Sequence, residues 1–482
     1  MAGHVDPKGF REYDARWRFP DEVDLPGLAE VGQAIGTQMQ TRGVCPQIIV
    51  GHDSRSYSQS VKEALCKGLV AAGITVHDIG LCLTPMAYFA RDHLGIDSVA
   101  MITASHNPNG WTGVKLGFYP PGTHGPGDMQ ELREIWQSRK WSKRPEGTLC
   151  HVQGVKQAYL NDLTAGGALK RRLRVVCATG NGTAGAFAPE MLRRLGVDVI
   201  ERHTALDTSF PHYNPNPEAL EMLEDMAQAV RETGADMAIG LDGDGDRCGV
   251  VDHLGQEVFA DKIGLLLARD IARKTPDARF VVDIKSTGLF ATDPVLSAHG
   301  ASVEYWKTGH SHMKKRVHEL RADAGFEKSG HYFFGKDQGR GYDCGLRAAL
   351  AICQMMAAHP ARSLADMVAN LPASWTSPTM SADCADDIKY ERVATLSSIA
   401  AQLLADRGDI GGRKITGLST INGVRLQFAD GAWALARASS NTPTLVVVCE
   451  SMTSRDDLHQ LFQSFDAFIR QVPGIGAYDQ QL

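Results

Sequence analysis

The stretch QIIVGHDSRSYSQSVKEALCKGLVAAGITVHDIGL, residues 47–81, holds two short apolar runs, QIIVGHD (47–53) and ITVHDIGL (74–81). Between them lies the amphipathic segment SVKEALCKGLVAAG (60–73), which ends at Gly73. The runs read as buried strands and the segment as the helix that joins them. Strand, helix and strand at such short intervals argue for a parallel α/β layer. A third run, SVAMITAS (98–105), leads straight into the turn cluster HNPNG (106–110).

The same rhythm returns twice. LRVVCATG (173–180) is followed by a helix around FAPEMLRRLG, by VDVIERH, and by a helix from Pro217 with Leu220, Leu223, Met226, Ala227 and Val230 expected on one apolar face. That helix stops at Gly234, and the strand MAIGL runs into LDGDGDR (241–247). A third round has a helix at FADKIGLLLARDIARK, strands at ARFVVDI and ASVEYW, a helix, and the turn-rich segment GFEKSGHYFFGKDQGRGYD (325–343). After residue 372 the order changes to a helix (ERVATLSSIAAQLLADRG), two or three strands (GVRLQFADG, WALARASS, TPTLVVVCE) and a closing helix (SRDDLHQLFQSFDAFIRQV). The expected architecture is α/β: three similar α/β domains with mixed sheets (1–152, 153–256, 257–372) and a smaller α+β domain (373–482) around a central cleft.

The 482 residues are 43% hydrophobic and 22% charged, ordinary for a globular chain. A net charge of -6 gives no electrostatic reason to expect nucleic acid or an anionic membrane as partner. The start, MAGHVDPKGFREYD, lacks the apolar core of a secretory signal, and no apolar run approaches the roughly 20 residues needed to span a bilayer. Ten cysteines are scattered without a CxxC pair, so a cytoplasmic location is expected.

In DGDGDR, Asp242, Asp244 and Asp246 alternate with glycine. Three such acids oppose one another's ionisation unless a cation sits among them. An EF-hand loop would need glycine at its sixth position and glutamate at its twelfth, where this chain has Arg247 and His253. Three carboxylates suit instead a magnesium ion that completes its shell with water and a phosphoryl group, with Arg247 as a phosphate contact. A solvated acidic turn is the plain alternative. Ser105, in TASHNPNG, lacks the G-x-S-x-G elbow of an acyl-transfer nucleophile, but beside magnesium it could carry a phosphoryl group. A structural turn serine is the competing reading. Glu327, Ser329 and His331 could hydrogen-bond adjacent sugar hydroxyls or form a polar surface loop. Arg437, Ser439, Ser440, Asn441 and Thr442 could bind a phosphate monoester or simply connect two strands.

Together, TASHNP, DGDGDR, EKSGH and RASSNTP, one per domain, resemble the phosphoserine, metal, sugar and phosphate loops of the α-D-phosphohexomutase superfamily. FREYDAR, VKLG (114–117) and WKTGHS (306–311) are similar to further segments of its bacterial phosphomannomutase/phosphoglucomutase branch. The resemblance implies that Ser105, as phosphoserine, completes a Mg2+ shell with Asp242, Asp244 and Asp246. It implies transfer of phosphate between the 1- and 6-positions of mannose or glucose through a bound hexose 1,6-bisphosphate, which is also the activator. Glu327 and Ser329 would grip sugar hydroxyls, and Arg437, Ser439 and Asn441 the unreacting phosphate. Arg247 would assist near the metal, with Tyr13, Arg16 and Lys115 close to the phosphoserine. Lys115, His310 and His331 are candidates for moving the hydroxyl proton, and Lys285 matches a further position.

Three departures stand out: Trp17 where glycine is common, Phe326 between Gly325 and Glu327, and ASSNTP in place of ASNTTP. The expected partners are small hexose phosphates, with no nucleic acid or membrane, and the expected assembly is a monomer or simple homo-oligomer. Glucosamine phosphate is the nearest alternative substrate, and a phosphatase or a non-catalytic sugar-phosphate-binding protein is the alternative of another class.

Overall fold

The computed structural model describes residues 3–142, 144–335 and 338–482. Lys336 and Asp337, inside the turn-rich segment, lie outside the described residues, as do Met1 and Ala2 at the start. The strands Gln47–His52, Thr75–Leu81 and Ser98–Ile102 are parallel neighbours. Ile48, Ile49 and Val50 are fully buried, as a strand covered on both faces by helices requires. Their sheet has six strands in the order Ala15–Arg18, Trp111–Gly117, Ser98–Ile102, Gln47–His52, Thr75–Leu81, Leu149–His151. The first two run antiparallel to their neighbours, so the sheet is mixed. FREYDAR and VKLG thereby become structural: each contributes a strand that leads into the cleft.

The second sheet is ordered Glu257–Val258, Cys248–Asp252, Met237–Leu241, Arg174–Ala178, Asp198–Arg202. It runs two residues past the expected boundary at 256. The third is ordered Ser302–Trp306, Arg279–Asp283, Ala324–Phe326, Tyr332–Phe334. Its last two strands lie largely in the segment read from sequence as turns; Phe326 pairs with Tyr332, and the residues between them turn, as do those described after Gly335. The interposed Phe326 is fully buried, with Phe280 and Phe290 at ring-centroid distances of 6.1 and 6.0 Å. It therefore anchors the strand from which Glu327 emerges. The fourth domain has seven strands where two or three were expected, because short edge strands such as Asp409–Ile410 and Trp375–Thr376 carry too little pattern to read.

One expectation fails on the helix Leu220–Thr233. Leu223, Met226, Ala227 and Val230 are buried, but Leu220 is 69% exposed. The helix begins at Leu220, not Pro217, so this residue sits in the first turn and overhangs the cleft instead of facing the sheet. Trp17, in contrast, is fully buried: its indole nitrogen donates to the carbonyl of Asp6 at 2.8 Å, and its ring fills the space where a side chain at Gly9 would stand. The departure at Trp17 is thus matched by a missing side chain opposite.

A single apolar core runs from Met86 and Phe89 through Val175 and Ile239 to Phe280, Phe326 and Ile352, binding the first three sheets together. The fourth domain has its own core around Leu426, Val447 and Phe465, and meets the third over a small patch of Ile284, Trp433, Leu435, Val446 and Val448. Eight cysteines are buried, Cys45 and Cys150 are exposed, and all ten are free thiols. Among the described residues no helix is long and apolar enough to cross a membrane.

Candidate active site

The four sheets surround a cleft of about 1130 Å³, lined by Ser105, Arg247, Glu327, His331 and Arg437 among others. Ser105 follows the carboxyl end of Ser98–Ile102, where open α/β sheets gather ligands. Its backbone is left-handed (φ 53°), an uncommon conformation outside glycine that turns its hydroxyl toward the second domain. Neighbouring groups hold it there. The Ser105 amide donates to Thr103 Oγ1 at 2.8 Å, and Arg55 Nη2 donates to the carbonyls of Ser105 (2.9 Å) and Asn107 (2.6 Å). Arg55 is itself paired with the buried Asp53. Gly243 allows the two loops to meet: a Cβ there would fall 2.5 Å from the Ser105 carbonyl oxygen.

Asp242, Asp244 and Asp246 are fully buried, and one oxygen from each lies within 4.8 Å of the others. Ser105 Oγ donates to Asp242 Oδ2 at 3.1 Å, so the serine and the acids form one group. Lys115 Nζ donates to Asp244 Oδ2 at 2.8 Å and also to Asp246. Burial, followed by Asp246 and Asp244, pushes the Asp242 carboxyl well above the ordinary range. At Asp244 burial acts in the same direction, but Lys115 and Thr84 outweigh it and hold that carboxyl low. Burial disfavours the Lys115 ammonium, yet Asp244 and Asp246 raise it well above an ordinary lysine. Asp244 Oδ1 and Asp246 Oδ1 are buried without a hydrogen-bond partner. Hard, converging oxygen donors with unused lone pairs fit a divalent cation.

Across the cleft, Glu327 accepts the amide of Gly309 (2.9 Å) and the hydroxyl of Ser329 (2.9 Å), and burial raises its carboxyl. Lys285 is buried along the same wall. On the fourth domain, Arg437 donates to Ser440 Oγ (3.2 Å) and to Asn422 Oδ1 (3.0 Å). Ser439 and Thr442 hydroxyls pair at 2.7 Å, and Asn441 Nδ2 donates to the Tyr13 hydroxyl at 3.3 Å. In ASSNTP it is therefore Ser440 that faces the arginine, while Asn441 reaches the first domain. The Arg11–Asp386 pair (3.0 Å) also joins the first and fourth domains. Arg16, buried beside the serine loop, pairs with Asp14 at 2.7 Å and donates to the Thr103 carbonyl.

The comparisons with known proteins fall on this geometry. Residues 7–143, 157–255 and 259–375 match the models described as phosphoglucomutase/phosphomannomutase alpha/beta/alpha domains I, II and III. The chain belongs to the phosphoglucomutase/phosphomannomutase family. It is 34% identical over 446 residues to a phosphomannomutase/phosphoglucomutase of Pseudomonas putida, covering 92% of this chain and 91% of that one. It is 31% identical over 464 residues to a phosphoglucomutase of Neisseria gonorrhoeae, covering 96% and 97%. The crystal structure of a phosphoglucomutase/phosphomannomutase family protein from Burkholderia thailandensis superimposes with a TM-score of 0.85 at 28% identity, covering 98% and 99%. As a family member the protein is a phosphohexomutase, and its fold is that of the family.

The structure brings every expected site residue of this phosphohexomutase to the cleft or its immediate wall. It adds several that sequence reading missed. Thr84 donates to Asp244 Oδ2, and Asn214 Nδ2 donates to the carbonyl of His106, tying the loop before Leu220–Thr233 to the serine loop. Lys314 and Asp343 form a fully buried ion pair at 2.8 Å behind the cleft histidines. The one available signal was the spacing of Lys314 from His310, which puts them on the same helix face.

Proposed function

We propose that this phosphohexomutase interconverts the 1- and 6-phosphates of mannose or glucose, with Ser105 as the phosphoryl carrier and a hexose 1,6-bisphosphate as bound intermediate and activator. The observation that carries the reading is the contact of Ser105 Oγ with Asp242, at the buried acidic triad and on the wall of the same cleft as Arg437. Asp242, Asp244, Asp246 and Ser105 would hold a Mg2+ ion, which when bound would neutralise charge on the phosphoryl oxygens.

Ser105 Oγ gives its phosphoryl group to one sugar hydroxyl and receives the other back, so phosphate is conserved. Arg437 supplies a charged fork for the phosphate that is not reacting, with Ser439, Ser440, Asn441 and Thr442 as neutral donors around it. Glu327 and Ser329 take sugar hydroxyls, while Tyr13, Arg16 and Lys285 line the substrate. Arg247 and Lys115 place positive charge beside the reacting group. The attacking hydroxyl must lose a proton, and His331 and His310 border the place where it stands. A cytoplasmic location and a monomer or simple homo-oligomer complete the reading.

The test is turnover of mannose, glucose and glucosamine 1-phosphates with Mg2+ and a trace of the matching 1,6-bisphosphate. Conversion of the mannose and glucose compounds to 6-phosphates, without release of inorganic phosphate, is expected. Turnover of glucosamine phosphate alone would reassign the substrate, and steady release of inorganic phosphate would make the enzyme a phosphatase.

A further inference from the structure

His310 and His331 both line the cleft, with ring centroids 6.1 Å apart, and the same buried ion pair stands behind both. His310 opens the helix His310–Leu320, and Lys314 follows one turn later on the same face. Lys314 Nζ lies 2.9 Å from His310 Nδ1. An ammonium has three donors and no acceptor, so Nδ1 must carry the lone pair and the proton of the neutral ring must sit on Nε2. Burial and the Lys314 charge hold this imidazole well below its ordinary pKa, which keeps it neutral. His310 Nε2 is buried and has no partner among the described residues. Its N–H therefore remains available.

The second donor of Lys314 goes to Asp343 Oδ1 at 2.8 Å, and its ammonium stands 4.6 Å from the centroid of the Tyr88 ring. The other oxygen of Asp343 lies 3.0 Å from His331 Nδ1 and Asp246 Oδ1 lies 3.7 Å from it, close charge contacts that are not aligned as hydrogen bonds in this structure. Two carboxylate oxygens repel a lone pair, so Nδ1 carries the hydrogen. On the opposite side of the ring, Arg247 Nε donates to His331 Nε2 at 3.0 Å, so Nε2 carries the lone pair.

We propose that Lys314 and Asp343 are positioning residues that lock the two cleft histidines in opposite tautomers, so that His310 presents a donor to the substrate and His331 an acceptor. Neither Lys314 nor Asp343 touches the substrate; each acts through a ring. The proposal builds on the mutase reading. One ion pair sets both rings, which ties the donor and acceptor faces to each other. A hydroxyl lying between the rings meets N–H on one side and a lone pair on the other once Arg247 has turned to a phosphate.

The test is a long-range proton–nitrogen spectrum of the full-length protein labelled with 15N-histidine, with signals assigned through His310→Gln and His331→Gln. His310 is expected as the Nε2–H tautomer and His331 as the Nδ1–H tautomer. The same tautomer at both, or averaging between tautomers at either, would overturn the proposal. In turnover, Lys314→Met and Asp343→Asn are expected to lower kcat by roughly 10²-fold while KM moves by less than about 3-fold, since general acid–base contributions are of this size. Folded variants with unchanged kcat would equally overturn it. Should either substitution prevent folding, the spectrum of the unsubstituted protein still decides. Absence of turnover in the unsubstituted enzyme would defeat the mutase reading alone, because the tautomers are read without catalysis.

Discussion

Ser105→Ala is expected to lower kcat by at least about 10⁴-fold, the scale on which removal of a covalent nucleophile acts. The loss should not come from unfolding. Ser105 occupies a left-handed backbone conformation (φ 53°), and alanine tolerates it no worse than serine does. The hydroxyl makes two hydrogen-bond contacts, with Asp242 Oδ2 at 3.1 Å and His106 Nδ1 at 3.3 Å, so its removal costs on the order of 1–2 kcal/mol against the rest of the domain. Ser105→Gly separates the two effects. Glycine adopts this conformation without strain, which offsets the lost hydroxyl contacts, so urea unfolding should show a variant within about 1 kcal/mol of the parent and still inactive. A Ser105→Ala enzyme that is folded and retains a tenth of its kcat would exclude the serine as carrier.

Excess chelator is expected to reduce turnover below about 1% of its value, with recovery on adding Mg2+, because charge neutralisation at a transferring phosphoryl group is among the largest catalytic contributions. The same experiment has a readout in stability. Asp242, Asp244 and Asp246 are fully buried and repel one another, and Asp244 Oδ1 and Asp246 Oδ1 lack hydrogen-bond partners. A cation that binds this group in the folded chain only should raise stability by about 2.7 kcal/mol at a hundredfold excess over its Kd. The melting temperature should therefore rise with Mg2+ in the parent and stay flat in Asp244→Asn. Full activity in chelator would remove the metal from the mechanism, and a flat melting temperature in the parent would remove it from this site.

Much of this is legible in the amino-acid sequence, for identifiable physical reasons. Gln47–His52 and Met237–Leu241 are buried on both faces, so their apolar runs are nearly continuous and stand out. The DGDGDR loop reads plainly because three adjacent carboxylates are costly without a counter-charge. Trp17 shows the opposite case: its burial depends on Gly9, eight residues away, and no local pattern announces that match. Leu220 fits the apolar stripe of its helix, but the stripe says nothing of where the sheet ends and the cleft opens. Tyr332–Phe334 was hidden because three residues are too few to display an alternating period. Asp343 was missed because its importance comes from a contact with Lys314, 29 residues earlier in the chain.

The division of the core bears on how the reaction proceeds. The first three domains share one apolar core, which holds Ser105, the acidic triad and Glu327 in fixed relation. Arg437 and its loop belong to a domain with a core of its own, linked to the first domain through Arg11–Asp386 and Tyr13–Asn441. A partly exposed ion pair and a single neutral hydrogen bond are each worth about 1 kcal/mol, so the contact can open and re-form as substrates enter and leave.

The most direct measurement loads the enzyme with [32P]phosphate on Ser105 and mixes it with unlabelled mannose or glucose 1-phosphate in a rapid-quench experiment under single-turnover conditions. Label is expected to leave Ser105 and appear in hexose 1,6-bisphosphate at least as fast as steady-state turnover. Label that stays on the protein while product forms, or that passes to water as inorganic phosphate, would contradict the role assigned to Ser105.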